Sequence, residues 1–434
     1  MRAARSILLG LAHLAVLASL SSATGARAQS PPFTVGGDPR VDPADFEITV
    51  FASGLDSPLP MQRLEDGSLL VGTSGGVLRL VDADDDGVAD GPGTLVFTGG
   101  AGLATGLRTS GSLVFVARSE TVFVLRRGAL PSDPLTVETS FDIEIPLPWS
   151  HISHTLAVRQ TAPGVTELWF NVGSKEDAAE TVETVPVSGA VSGTVNADSI
   201  HRVVVDDTGP SVVVSGLTEV ATGVRNAFGM AFHPTTGDLW FEDNSMDGDT
   251  APYELSVDEL NTIAAADLAG AVEDFGFPSH YFAYRTDAEV GSGGIVPVVR
   301  FQPVPPPDGS ESEGPAEIAF APPGFPPGLR TGVFVGFHGA FSATGVANAD
   351  NPVVYVDLDT GEYFHFIANT EPLVGHPDGL LASGDALFVS DFGGFSAGAG
   401  AIYRIRALPP AVPGLAPFTG IALGTVLAAA GVAR

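Results

Sequence analysis

Asp66–Asp82 reads DGSLLVGTSGGVLRLVD. Asp66-Gly67 forms a turn, SLLVGTS a short apolar strand, Gly75-Gly76 a second turn and VLRLVD a second strand. The same unit recurs in both directions along the chain. Gly111 leads into SLVFVARS and then TVFVLRR, and Thr166 opens TELWFNVGS, with SIHRVVVD after a polar loop. Gly237-Asp238 leads into LWFEDN, Gly332 opens VFVGFHG before NPVVYVDLDTGEYFHF, and Gly384-Asp385 leads into ALFVSDFGG and AIYRIRA. Radial repetition of small antiparallel sheets accounts for units spread over the whole body, so the expected fold is all-β, a six-bladed β-propeller. The long helical patterns that a parallel α/β sheet requires between its strands are missing. Ser256–Gly270, SVDELNTIAAADLAG, is the clearest helical candidate, while Lys175–Asn196 and Thr286–Pro315 read as long loops.

The two ends differ from the body. Two arginines precede an apolar run in MRAARSILLGLAHLAVLASL, and Ala26-Arg27-Ala28 places small residues before Gln29. Residues 1–28 therefore read as a secretory signal, and the mature chain is expected in the periplasm, at the cell surface or outside the cell. Residues 29–45 read as a leader and 46–408 as the propeller. Residues 409–434, with Val412-Pro413, an apolar stretch and a final Arg434, resemble a bacterial C-terminal sorting or anchoring tail. That stretch is barely the roughly 20 residues a membrane crossing needs.

Of the 434 residues, 51 are acidic and 20 are lysine or arginine, giving a net charge of -31. A surface of this sign repels nucleic acid, which is excluded as a partner. The chain has no cysteine, so disulfides, thiolate metal sites and cysteine nucleophiles are excluded and the core alone must hold the fold.

Three stretches carry chemistry. His151 and His154, in PWSHISHTLAV, stand just before an apolar strand, where a histidine can exchange protons near neutrality or simply pack. Arg225-Asn226 precedes a second strand and offers a guanidinium fork that suits planar carboxylates. The acidic stretch that follows holds Asp247, Asp249, Asp258 and Glu259, hard oxygen ligands for calcium. A separate run, VDADDDGVADG, places Asp82, Asp84 and Asp86 alternately, with Gly87 for the turn and Asp90 after it, in the manner of a calcium loop or an acidic hairpin facing water.

Gly223–Phe232, GVRNAFGMAF, is similar to the Gly-Leu-Arg-Asn-x-x-Gly-Leu-x-Phe pattern of the glucose/sorbosone dehydrogenase family, the soluble quinoprotein sugar dehydrogenases. Asp258-Glu259-Leu260-Asn261 and the closing HPDGLLASGDALFVSDFGGFSAGAGAIYRI also resemble that family, and the resemblance runs from Gly54 to Ile405. It implies a propeller that oxidises a sugar or polyol hydroxyl with pyrroloquinoline quinone and calcium and passes electrons to an external acceptor. In that reading His151 is the base, and Gln62, Arg225 and Asn226 hold the cofactor. The chain departs from the pattern in three places. Asn244–Gly248 stands where a Gly-Pro calcium loop is usual, Asp274–Pro278 replaces Asn-Tyr-Gly-Trp-Pro, and His338–Phe341 lacks a trailing Asn-Arg. The family's fifth and sixth blades supply lysine and arginine to the quinone; here no basic residue other than histidine lies between Gly339 and Gly400. A non-catalytic propeller that binds carbohydrate or protein, and a calcium-dependent lactone or ester hydrolase, are the alternative expectations.

Overall fold

The computed structural model describes residues 33–178, 181–248, 251–306, 309, 312, 314–339, 352–368 and 376–409. The expected signal segment, most of the tail and Asp249 lie outside them. The described residues form six sheets of four to six strands, the six blades of a propeller, and no α-helix. Their innermost strands are, in order, Met61–Arg63, Ala104–Ser110, Leu156–Ala162, Met230–Phe232, Pro315–Phe320 and Gly379–Ser383. Each blade continues outward through antiparallel neighbours, and only the short outermost strand of blade three, Glu273–Asp274, is added in parallel among the described residues. The sixth is completed by the first long strand, Phe46–Leu55, which pairs with Gly400–Ala407 and closes the ring.

Burial explains the strand patterns. The second strand of each blade is covered on both faces by neighbouring blades, and LVFVAR at Leu113–Arg118 is buried at every position. Such strands read as continuous apolar runs. Further out, alternation returns, as in Ser199–Asp206. The core is correspondingly split into six larger clusters, one between each pair of adjacent blades, with two small ones around Met246 and Phe282. Leu70, Val77 and Phe97 of blade one meet Leu107, Val114 and Val116 of blade two, while Phe141 of blade two meets Phe170 and Val203 of blade three. Truncating one fully buried ring such as Phe170 to alanine costs about 3–5 kcal/mol.

Three local expectations change. Ser256–Gly270 is not helical: Asp258–Ile263 is a strand paired with Leu239–Asp243, because Asp258, Leu260 and Thr262 alternate with residues that face the other side. The loop Lys175–Asn196 contains the hairpin Thr184–Gly189 and Gly193–Asn196, which extends blade two to six strands. Residues 33–45 are packed rather than loose. Thr34–Val35 pairs with Ile367–Ala368, and Phe33, Val35 and Val41 join the cluster between blades five and six.

Candidate functional site

Strand direction decides which residues meet. In every blade the start of the innermost strand, the end of the second and the start of the third share one face of the ring. His151, His154, Arg225, Asn226, His376 and Asp378 stand before innermost strands. Asn171, Ser174, Glu242, Asp243 and His338 end second strands or follow them, and Asp198 and Asp258 begin third strands. All of them therefore gather at one mouth of the central channel.

His151, Arg225 and Asn226 converge there. The His151 ring holds the Ser174 carbonyl oxygen at 2.8 Å through Nδ1. A carbonyl only accepts, so Nδ1 carries the proton and Nε2 keeps its lone pair. Burial, followed by the nearby Arg225 charge, lowers the His151 pKa to about 4, which leaves the ring neutral at pH 7. Gly173 permits the closeness. A Cβ there would stand 2.6 Å from His151 Cβ and 3.1 Å from Asn226 Oδ1. Asn226 Oδ1 is buried without a hydrogen-bond partner.

Arg225 is 4% exposed and already engaged. Its Nε donates to Asp177 O at 2.9 Å and a terminal nitrogen to Asp177 Oδ1 at 3.0 Å. The contact to Asp247 is longer, 3.5 Å, and the Asp247 side chain is 75% exposed. Neither Asp177 nor its pairing with Arg225 was anticipated from the sequence, where Asp177 is one acid among several in a polar loop.

The carboxylates beside this arginine act first as staples for the backbone. Asp243 accepts from the amides of Arg225 and Asn226 at 2.9 and 2.7 Å. Glu242 accepts from the amides of Phe228 and Gly229, and Asn244 Nδ2 donates to Glu242 at 2.9 Å and to Pro315 O at 2.8 Å. Burial raises Asp243 to about 7 and pushes Glu242 well above the usual carboxylate range. Asp198, both of whose carboxylate oxygens lack a partner, is raised to about 7 by burial and then by Asp243.

The expected ligand set Asp247, Asp249, Asp258 and Glu259 does not form one cluster among the described residues. Asp258 and Glu259 are consecutive in a strand and face opposite sides. Asp258 accepts from the amides of Ser245 and Gly314, at 2.8 and 3.1 Å. Glu259 faces a cavity of about 20 Å³ shared with Arg225, Asp243 and His280, room for one water or one ion. Burial and then Asp243 raise it to about 8.

Gln62 is not at the mouth. Its amide donates to Met61 O at 2.8 Å and its oxygen lies 3.4 Å from Thr109 Oγ1. Thr105 marks the mouth, since its hydroxyl donates to His154 O. Four residues of strand separate Thr105 from Thr109, about 13 Å down the channel. Between these levels Arg108 of blade two reaches Glu317 of blade five, with Arg108 Nη2 at 2.9 and 3.0 Å from the two carboxylate oxygens and 3.0 Å from Met230 O. This buried ion pair spans opposite blades beneath the mouth. Its signal in the sequence is a charged residue, Arg108, within the innermost strand Ala104–Ser110.

The Asp82–Asp90 loop lies on the other face of the ring, between the third and fourth strands of blade one. Asp82, Asp84 and Asp86 bring ligand oxygens within 4.8 Å of one another, the only such acidic or histidine group among the described residues. Asp82 accepts from the amides of Asp86 and Gly87, at 3.1 and 3.0 Å, and Asp90 accepts from Ala83 at 2.6 Å. Asp85 and Gly87 take φ of 55° and 86°, which shape the turn.

On the far side of the mouth, His338 Nδ1 lies 2.8 Å from Asp378 Oδ1, and the His338 ring stacks on His376 with centroids 4.1 Å apart.

Comparison with known proteins agrees with this architecture. Structures of a carbohydrate-active enzyme of family AA12 from Trichoderma reesei superpose with a TM-score of 0.60, at 19% identity over 84% of this chain and 96% of theirs. One structure of that enzyme is described as its calcium form. The holo pyranose dehydrogenase PQQ domain from Coprinopsis cinerea gives a TM-score of 0.60 at 16% identity, over 88% of this chain and 97% of that one. The PQQ-bound aldose sugar dehydrogenase from Streptomyces coelicolor gives 0.50 at 16% identity, over 84% and 98%. At such identities the likeness establishes the fold. An uncharacterised protein of Borreliella burgdorferi is 27% identical over 227 residues, 46% of this chain; the match spans about half of that relative, 54% of its length. The pattern of the TrAA12-like family matches residues 41–288, more than half of the chain and the whole of blades one to three, with the Arg225-Asn226 mouth inside it; the protein belongs to the TrAA12-like family.

Proposed function

We propose that this protein oxidises a hydroxyl of a sugar or polyol, using pyrroloquinoline quinone with calcium and handing electrons to an external acceptor. The carrying observation is the convergence of His151, Asn226 and Arg225 at one mouth, where Nδ1 of His151 is held by Ser174 so that Nε2 keeps its lone pair, and the buried Asn226 amide oxygen lacks a hydrogen-bond partner. His151 accepts the hydroxyl proton at Nε2 and stays neutral until then, because burial depresses its pKa. Ser174 fixes the tautomer. Arg225 would hold one quinone carboxylate in place of its long contact to the exposed Asp247. Asn226 would accept from a substrate hydroxyl. The quinone, when bound, supplies the two-electron acceptor, and calcium polarises it. The donor set fits such a group at this one arginine.

The rival reading, a propeller that binds carbohydrate without redox chemistry, is favoured by one observation: Arg225 is shared with Asp177, and no lysine or arginine follows between Gly339 and Gly400. Calcium at Asp82, Asp84 and Asp86, with Asp90 closing the loop, is a separate structural proposal. Export through residues 1–28 and attachment through residues 409–434 complete the proposal and would put the substrate outside the cytoplasm.

Calorimetric titration of the mature protein with pyrroloquinoline quinone in calcium tests the reading. Saturable binding that disappears in Arg225→Ala, with dye reduction on a sugar panel lost in His151→Gln, supports it. Absence of quinone binding at any pH between 5 and 8 removes the dehydrogenase and leaves the carbohydrate-binding propeller.

A further inference from the structure

Blades one and two carry their charge unevenly. On the face away from the mouth, three acids stand beside arginines: Glu65 with Arg127 at 2.5 Å, Asp66 with Arg79 at 2.6 Å and Glu138 with Arg126 at 2.7 Å. The mouth side is different along the arc of rim from Asp56 to Glu176. Asp56, Glu120, Asp142, Glu144 and Glu176 lie in loops or at strand ends that open onto that side, and none of them forms an ion pair among the described residues. Asp56 accepts from the Gly398 amide at 2.7 Å, Asp142 from the Thr121 hydroxyl at 2.6 Å and Glu144 from the Ser188 hydroxyl at 2.5 Å. These donors are neutral, so the charge of the arc stays uncompensated.

The bases nearby do not offset it. Arg118 is 3% exposed and spends its guanidinium on the carbonyls of Ser74, Gly99 and Gly102, and Lys175 is held by Glu183 at 2.8 Å. The residues between 179 and 375 that lie outside the described set include no lysine or arginine, so they add no positive charge wherever they stand.

Apolar side chains interrupt the arc at one place. Ile145 and Trp149 are buried, the Glu144 amide donates to Pro186 O and the Ser150 amide to Lys175 O, both at 2.9 Å. The segment between them is thus held at both ends, with Leu147 turned outward and 72% exposed. Ile152, next to His151, is 41% exposed. Leu147 stands four residues from His151, at most about 14 Å along an extended chain. The surface beside the base is therefore apolar at its centre and acidic around it, which complements a partner with an apolar edge in a positive rim.

We propose that this arc docks the external electron acceptor, a small basic redox protein whose positive rim meets Asp56, Glu144 and Glu176 and whose apolar edge meets Leu147 and Ile152. The proposal rests on the dehydrogenase reading. Oxidation of one hydroxyl to a carbonyl releases two electrons and two protons, so a one-electron carrier docks twice per turnover, two carriers are reduced and the protons go to solvent. Such a carrier must arrive quickly and leave after each electron. Attraction between opposite charges speeds its arrival, and a small contact lets it go.

The test uses the full chain in chelator, with cytochrome c as the basic redox protein. Calorimetry is expected to show saturable binding that weakens about tenfold or more as salt rises from about 0.01 to about 0.1 M, over which the screening length falls from roughly 30 to roughly 10 Å. Glu144→Gln combined with Glu176→Gln should weaken binding by about tenfold, and Leu147→Ser should weaken it while the salt dependence stays the same. Asp84→Asn combined with Asp86→Asn removes equal charge from the opposite face and should leave binding as it is. Absence of binding overturns the inference. So does equal weakening by the two double variants, because net charge alone would then attract the probe. Turnover with pyrroloquinoline quinone and calcium separates the two readings, and cytochrome c reduction is expected to follow the same salt and variant dependence. Sugar-dependent reduction of ferricyanide without cytochrome c docking at the arc removes the inference and keeps the dehydrogenase. Docking at the arc with neither ferricyanide nor cytochrome c reduced removes the dehydrogenase and leaves the arc a site for a basic protein.

Discussion

Two acidic runs look alike in the sequence and do different work in the ring. In the mouth, Glu242, Asp243 and Asp258 are buried and bonded to backbone amides of the arginine segment and of the loops beside it. On the opposite face, Asp82, Asp84 and Asp86 turn their oxygens toward one another at the surface. The first run is closed around the backbone that it holds, whereas the second, although Asp82 also accepts from the amides of Asp86 and Gly87, keeps oxygens of three carboxylates close together at the surface. An acidic stretch therefore suits a cation where its oxygens converge at an accessible surface, and not where each is buried against separate amides.

The largest contrast should appear on truncation. Asp243→Ala leaves two amides of Arg225 and Asn226 unbonded in a buried place, and is expected to cost at least ~3 kcal/mol in chemical denaturation. A loss below about 1 kcal/mol would refute the staple role. Next comes calcium itself. At a hundredfold excess over its dissociation constant it should stabilise the wild type by ~2.7 kcal/mol, an effect absent in Asp84→Asn. Because Asp84 is exposed, the variant should match the wild type in chelator; if the calcium effect persists in it, the ion binds elsewhere. Asp247→Asn should change stability by no more than about 0.5 kcal/mol, since its 3.5 Å contact to Arg225 is exposed. It should strengthen binding of a carboxylate at Arg225, and weaker binding would mean that Asp247 helps hold the ligand. Finally, the pH–rate profile of any hydroxyl oxidation should show no base-limited loss from neutrality down to about pH 5, falling only as pH drops through about 4, where His151 takes a proton. A limb near 6.5 would assign the base to another group.

The ring was legible because turn residues and two-sided burial both leave marks in a sequence. All six units found from Gly and Asp-Gly turns are blades, and the pairing of Leu69–Thr73 with Gly76–Leu80 follows the Gly75-Gly76 turn. Ser256–Gly270 misled because its apolar spacing satisfies a helix, and only pairing with Leu239–Asp243 fixes it as a strand. The convergence of His151 with Arg225 and Asn226 was legible from position, since all three precede innermost strands. What stayed hidden was pairing over long separations. Asp177 takes up Arg225 from 48 residues away, and Arg108 meets Glu317 across 209. Gln62 was misjudged by a few residues of strand, enough to carry it below the ion pair.

The closing strand sets the order in which the molecule can be made. Glu47 and Arg406 are 359 residues apart and still form a pair, so the sheet that receives Phe46–Leu55 does not exist until Gly400–Ala407 has been synthesised. Until then the early strand has an unpaired edge, the kind of surface that invites pairing with another chain. So large a sequence separation predicts slow folding, completed only after the last blade has emerged. A chain that ended between the fifth blade and Gly400 would carry five finished wedges and an open clasp.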